Sequence, residues 1–407
     1  MRIALLLVLL TVQSGDPKSL GWSQFRGPNR DGLSPDTGLL KQWPAGGPPL
    51  AWKAAGLGTG YSAVSFADDR LFTMGDAGGR CKVHALSLTD GKILWSTEVG
   101  EPGGNRGPGP RSTPATDGKL VFAIGQHGDL VCVEAPTGKA VWRKSLVRDF
   151  GGRVPRWFYS ESPLLDGETV LCTPGGSKGT VVALKKATGE TVWQSKEFTD
   201  GAHYTSLVPV EIGGIRQYLV LTDSNIAGLS AKDGKLLWRA TRVGKTAVVD
   251  TPIYKDGLVF VSSAYGVGCN AFRVTSEGGA FKAAETYSGK QISSHHGGMI
   301  LVGDHVYGLG DGQLRCVELK TGKVAWENRS VGKGAVAYAD GHLVCRSERG
   351  PIALVEATPS GYKEKGRFDQ PDRSREADAQ WPHPIIFGGK LYIRDWDLLL
   401  CYDVKAK

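Results

Sequence analysis

The chain has 407 residues, of which 57 are Gly and 21 are Pro, about a fifth of the total. That share of turn formers excludes a helical bundle and fits many short strands joined by turns. The net charge of +8 is modest for this length, which argues against a nucleic-acid-binding protein.

The N-terminus reads as a secretory signal over residues 1–15. Arg2 supplies the positive end, Ile3 to Val12 is an apolar run, and Ser14 and Gly15 sit near a plausible cleavage point. The run is short for a bilayer span, and no later segment is apolar enough to cross one. No cysteine follows the run, so a lipid anchor is not expected. The expected location is therefore outside the cytoplasm, periplasmic or extracellular. Residues 16–48 form a lead-in, opening with Trp22-Ser-Gln-Phe-Arg-Gly-Pro-Asn-Arg-Asp-Gly32.

One pattern then organises residues 49–407: a small residue, a Gly six positions on, and a Trp four beyond that. It occurs as Ala85–Gly91–Trp95, Cys132–Gly138–Trp142, Ala183–Gly189–Trp193, Gly228–Gly234–Trp238 and Cys316–Gly322–Trp326. Two degenerate copies run from Ala271 to Tyr287 and from Ala353 to Phe368, and an eighth is split between Trp52 and Cys401. The anchors recur about every 45 residues, the length of one four-stranded blade. The fold expected is all-β, an eight-bladed β-propeller of four-stranded antiparallel blades, with N- and C-terminal strands closing the last blade. Trp52, Trp95, Trp142, Trp193, Trp238 and Trp326 are its structural anchors.

Local chemistry agrees. Thr137-Gly138, Thr188-Gly189 and Thr321-Gly322 mark outer hairpins, and Asp117-Gly118, Asp166-Gly167, Asp256-Gly257 and Asp340-Gly341 mark inner ones. The small residue at each repeat's start is expected to leave room for a neighbour's aromatic. Cys132, Cys316 and Cys401 stand at that position, so most of the seven cysteines read as core filler.

The repeat resembles the tryptophan-docking motif of the PQQ-like (quinoprotein alcohol dehydrogenase-like) β-propeller family. Its clearest copy is Ala-Leu-Lys-Lys-Ala-Thr-Gly-Glu-Thr-Val-Trp from 183 to 193. The resemblance covers nearly all the chain from residue 50 onward. The family contains pyrroloquinoline-quinone (PQQ) dehydrogenases and non-catalytic exported propellers such as BamB, of the outer-membrane protein assembly machinery. In the dehydrogenases the resemblance would imply PQQ, a calcium ion held by a Glu/Asn/Asp set, and an adjacent cysteine pair. This sequence has no Cys-Cys pair, and Glu161 and Asp250 have no spacing that allows that set to be carried over. The expectation is a monomeric, non-enzymatic binding scaffold with no assigned cofactor. The alternative is a PQQ- and Ca²⁺-dependent oxidoreductase acting on an alcohol or sugar.

A binding surface is expected on the face carrying the long connections, roughly 96–111, 143–160, 194–204, 239–250, 288–297, 327–334 and 369–383. Arg106, Arg111, Arg148, Arg153 and Arg156, with Trp157 behind them, form a basic group suited to a protein segment or an anionic polymer or ligand. Glu161, His203, Asp250, His295, His296 and His383 fall at comparable blade positions and could ring the mouth, where a metal site is conceivable. Gly244-Lys245-Thr246 is not a phosphate loop, because Arg239 stands where its first Gly should be.

Overall fold

The computed structural model describes residues 21–104, 108–370 and 379–407. The expected signal segment 1–15 and Arg106 lie outside the described residues.

Eight antiparallel sheets follow one another along the chain. Blades 1 to 6 run from Ser65 to Gly100, Ala115 to Ser145, Leu164 to Gln194, Val208 to Thr241, Ile253 to Gly289 and Ile300 to Asn328. Blade 7 runs from Gly334 to Phe368. Blade 8 takes three strands from Ile385 to Asp403 and its outermost strand, Leu50–Ala54, from near the N-terminus. Trp52 pairs with Cys401 in that closing ladder, as the split repeat requires. The closure removes a free edge on the innermost-to-outermost seam of the ring.

The aromatics join the blades. Trp52, Trp95, Trp142 and Trp193 each lie over the hairpin Gly of the next blade. A Cβ on Gly91 would meet Trp52 at 2.6 Å, on Gly138 Trp95 at 2.5 Å, on Gly189 Trp142 at 2.8 Å and on Gly234 Trp193 at 2.4 Å. The indole Nε1 then donates to the carbonyl three residues before that Gly: Trp52 to Leu88, Trp95 to Ala135, Trp142 to Lys186 and Trp193 to Ala231. Trp326 donates likewise to Thr358 O, and Tyr287 replaces the indole with its hydroxyl on Leu319 O. The glycines are therefore fixed twice, by positive φ and by the ring above them.

Three details differ from the sequence reading. The small residue faces the Trp of its own blade, as Ala85 faces Trp95 and Cys132 faces Trp142; the neighbour's aromatic needs the Gly instead. Trp238 shares a buried core with Val259, Val261 and Phe272 of blade 5 but does not dock on that blade's outer hairpin. Its Nε1 donates to Gln217 Oε1 within blade 4, because the outer hairpin of blade 5 has ten-residue strands and Gly279 meets nothing within 4 Å. In blade 7 the register puts Ala353 opposite Arg367, and Phe368 opposite Ile352. Trp43 of the lead-in packs over Gly366 there and edge-on against Phe368, with centroids 5.4 Å apart. All seven cysteines are buried free thiols.

The lead-in fills the axis. Phe66 of blade 1 donates its backbone N–H to Trp22 O, and Thr116 of blade 2 to Ser23 O. Leu165 of blade 3 donates to Gln24 Oε1. The Leu33–Ser34 strand adds in parallel to blade 7 at Tyr338 and Ala339. Arg30 donates to the carbonyls of Ser162 and Pro163 at 2.8 and 2.9 Å, and Arg26 to that of Gly297 at 2.8 Å. Both guanidiniums are buried, where hydrogen bonds from a charged donor contribute about 1.5–3 kcal/mol each.

The docking geometry yields a paired test by denaturant unfolding. Gly138 and Gly118 both have positive φ, but only Gly138 has a ring above it. Gly118→Ala is expected to lose about 1–2 kcal/mol from backbone strain. Gly138→Ala is expected to lose about 1–3 kcal/mol more, from displacing Trp95. Equal losses would show that the ring contact contributes nothing.

Candidate functional site

The innermost strands all start on one rim of the channel, and the residues just before them form its mouth. Counting four back from the strand starts at Ser65, Ala115, Leu164, Val208, Ile253, Ile300 and Ile385 gives Tyr61, Arg111, Ser160, Tyr204, Val249, His296 and Trp381. All seven line one cavity of about 390 Å³. Ala63, Thr113, Ser206 and His383, two residues further on, also line it, as extended backbone with a period of two requires. Phe25 of the lead-in contacts His383, with ring centroids 5.3 Å apart, and forms the floor. The cavity is therefore a blind funnel.

The intervening residues turn into the walls. Ser62 Oγ accepts from Met74 N at 3.1 Å, Glu161 Oε1 accepts from Thr173 N, and Thr205 Oγ1 donates to Leu221 O at 2.6 Å. Glu161 and Asp250 occupy this phase and are fully buried. Burial pushes each carboxyl up to about 7, offset in part by the Thr173 hydrogen bonds for Glu161 and by the Ser294 and Ser262 hydroxyls for Asp250. The nearby charges are those of the axial arginines, Arg30 for Glu161 and Arg26 with Arg242 for Asp250.

Arg111 is the cation of the funnel. Its guanidinium carbon lies 5.4 Å from the Tyr61 ring centroid and 5.5 Å from that of Trp381, and these two rings stack on each other at 4.4 Å. Its Nη1 donates to Trp157 O at 3.1 Å. Trp157 lines the cavity, and Arg156 lies over its ring at 5.3 Å on the solvent side. Arg153 and Arg156 are exposed beyond the lining. Arg148 borders a separate groove between blades 1 and 2.

The histidines divide. His295, His296 and His383 line the funnel, whereas His203 accepts from Val248 N at 3.0 Å and packs on Tyr204. His295 contacts the Tyr265 hydroxyl at 2.5 Å, and His383 Nε2 lies 2.7 Å from His296 O. Burial lowers His295 to about 4 and His383 to about 3, and it depresses His296 as well, so the three are neutral at pH 7. Among the described residues no three His, Cys, Asp or Glu side chains come together so as to hold a metal ion.

The sequence reading passed over Phe25, Tyr61, Tyr204, Tyr265 and Trp381. For Tyr61, Tyr204 and Trp381 the signal was positional, four residues before the start of an inner strand; Phe25 and Tyr265 had none.

Several known proteins are similar. A family model described as outer membrane protein assembly factor BamB matches residues 79–328. The BamB of Xanthomonas campestris is 28% identical over 198 residues, covering 47% of this chain and 44% of the relative. That of Burkholderia pseudomallei is 26% identical over 321 residues, covering 72% and 70%. The chain spans about half the length of the first curated relatives it matches, 44% and 49%. The crystal structure of BamB from Moraxella catarrhalis superposes with a TM-score of 0.62 at 16% identity, over 85% of this chain and 95% of that one. A quinohemoprotein alcohol dehydrogenase from Comamonas testosteroni gives 0.64 at 13% identity, over 95% and 81%. Likeness at these identities shows the fold alone.

The carboxyl in the wall makes a pH test. A carboxyl whose folded value is raised stabilises most when protonated, so its contribution falls as pH rises from about 4.5 through about 7. Glu161→Gln keeps the acceptor for Thr173 N and cannot ionise. Its Tm relative to the parent is expected to climb between pH 5 and pH 8 and then level off. A difference independent of pH would contradict a titrating Glu161.

Proposed function

The chain belongs to the BamB family of PQQ-like β-propellers, and from that premise we propose that it is an exported, non-enzymatic scaffold serving outer-membrane protein assembly. The observation that carries this reading is the family match over residues 79–328, which spans most of blades 1 to 6. The positive Arg2 followed by the apolar run Ile3 to Val12 supports export, and the periplasm is the compartment such an assembly factor requires.

The funnel supports the mode of action. It is concave, lined by six Phe, Tyr and Trp rings and built on loops over a rigid ring, the combination that favours a ligand or peptide anchor. Its buried carboxyls are turned into the walls, and its histidines are held in contacts with Tyr265 and with backbone. Such a site is suited to binding by shape and one charge.

Deleting the gene in the source organism is expected to lower the yield of correctly assembled outer-membrane proteins. The full-length gene should restore it. The purified chain with PQQ, Ca²⁺ and an alcohol or sugar should reduce no dye. Normal assembly in the deletion strain, or dye reduction dependent on PQQ, would overturn the scaffold reading.

A further inference from the structure

Arg111, half-buried at the cavity wall, differs from the buried Arg30 and Arg242. Arg30 donates to Gln24, Ser162 and Pro163, and Arg242 to Asn270, Ser263 and Gly268. Among the described residues Arg111 donates to one acceptor, Trp157 O, although a guanidinium carries five N–H donors. Among the described residues its neighbouring titratable groups are the Tyr61 and Tyr204 phenols, with no carboxylate. The guanidinium lies 5.4 and 5.5 Å from the two ring centroids at the cavity wall, and its planar fork matches a planar anion. It is also the one permanent charge among the described lining residues.

The shape restricts what that anion is attached to. Phe25 closes the floor, so a chain that enters the funnel has to end there. An internal loop would need two strands through the mouth, and a cavity of about 390 Å³ leaves room for only a few residues. A chain end brings an α-carboxylate, whose ordinary pKa of about 3.5 keeps it ionised at neutral pH. The aromatic walls and neutral imidazoles favour an apolar last side chain over a second charge.

We propose that the funnel is a receptor for the C-terminus of a partner polypeptide, with the α-carboxylate on Arg111 and an apolar or aromatic last side chain against Trp157, Tyr204 and Trp381. This rests on the interaction-scaffold reading and names the segment that the scaffold takes. Capture of a terminal carboxylate is a recurrent mode of peptide recognition.

The test uses the full mature chain and calorimetry with acetyl-Gly-Ser-Ala-Phe as the free acid and as the C-terminal amide, with glucuronate as a sugar acid. The acid is expected to bind saturably, the amide at least tenfold more weakly, and glucuronate more weakly than the acid. Arg111→Gln should abolish the preference for acid over amide while leaving the unfolding midpoint within a few degrees. Equal binding of acid and amide, no binding of either at millimolar concentration, or tighter binding of glucuronate would each overturn the proposal. The acid–amide comparison in the unaltered chain stands even if the variant fails to fold. Failure here together with an intact assembly defect in the deletion strain would remove the receptor and leave the scaffold.

Discussion

An indole laid over a glycine is the contact on which this molecule depends. A propeller blade buries its two faces against neighbours, yet each blade touches only the next one. The Trp of the outer strand spans that gap and ends its reach with a hydrogen bond to a turn carbonyl, as Trp142 does on Lys186 O at 2.8 Å. The Gly beneath is needed because a Cβ would stand 2.8 Å from the ring. This explains why the repeat pairs Gly with Trp across a blade boundary. It also explains why the ring tolerates two irregular joints: Trp238 turned inward onto Gln217, and Trp43 borrowed from the lead-in.

The lead-in is the second constraint. A ring of eight blades leaves an axial channel, and here residues 22–32 occupy it. Arg26 and Arg30 carry positive charge into that channel and direct it at backbone carbonyls of the connections that lead into blades 6 and 3. The buried Glu161 and Asp250 supply partial counter-charge from the walls. One consequence is functional: with the axis filled, the loop face keeps a pocket in place of a pore, and Phe25 sets its depth.

Much of the fold was legible in the sequence because the repeat is periodic and local. The pairing of Trp52 with Cys401 followed from the split motif alone. Irregular joints were not legible. The spacing from Ala353 to Phe368 conceals a register in which Arg367 takes the aromatic's place opposite Ala353. The site was only partly legible. Arg111, Trp157, His295, His296 and His383 sit in the lining, while Glu161 and Asp250 are one residue out of phase and face the wall. A shift of one residue along extended backbone reverses a side chain, and loop sequence does not fix that phase. Tyr61 and Trp381 carry no motif; they meet because blades 1 and 8 are brought together by ring closure.

The central claim is that partners engage the mouth of the ring. Photo-crosslinking in the source organism, with the probe amino acid at Tyr265 or Val243 on the loop face and at Lys119 on the hairpin face, tests it most directly. Tyr265 and Val243 are exposed, at 45% and 69%, so the probe itself should not disturb the core. The account predicts adducts with a component of outer-membrane protein assembly from the two loop-face positions and none from Lys119. Adducts from Lys119 alone, or none from any of the three positions, would contradict it.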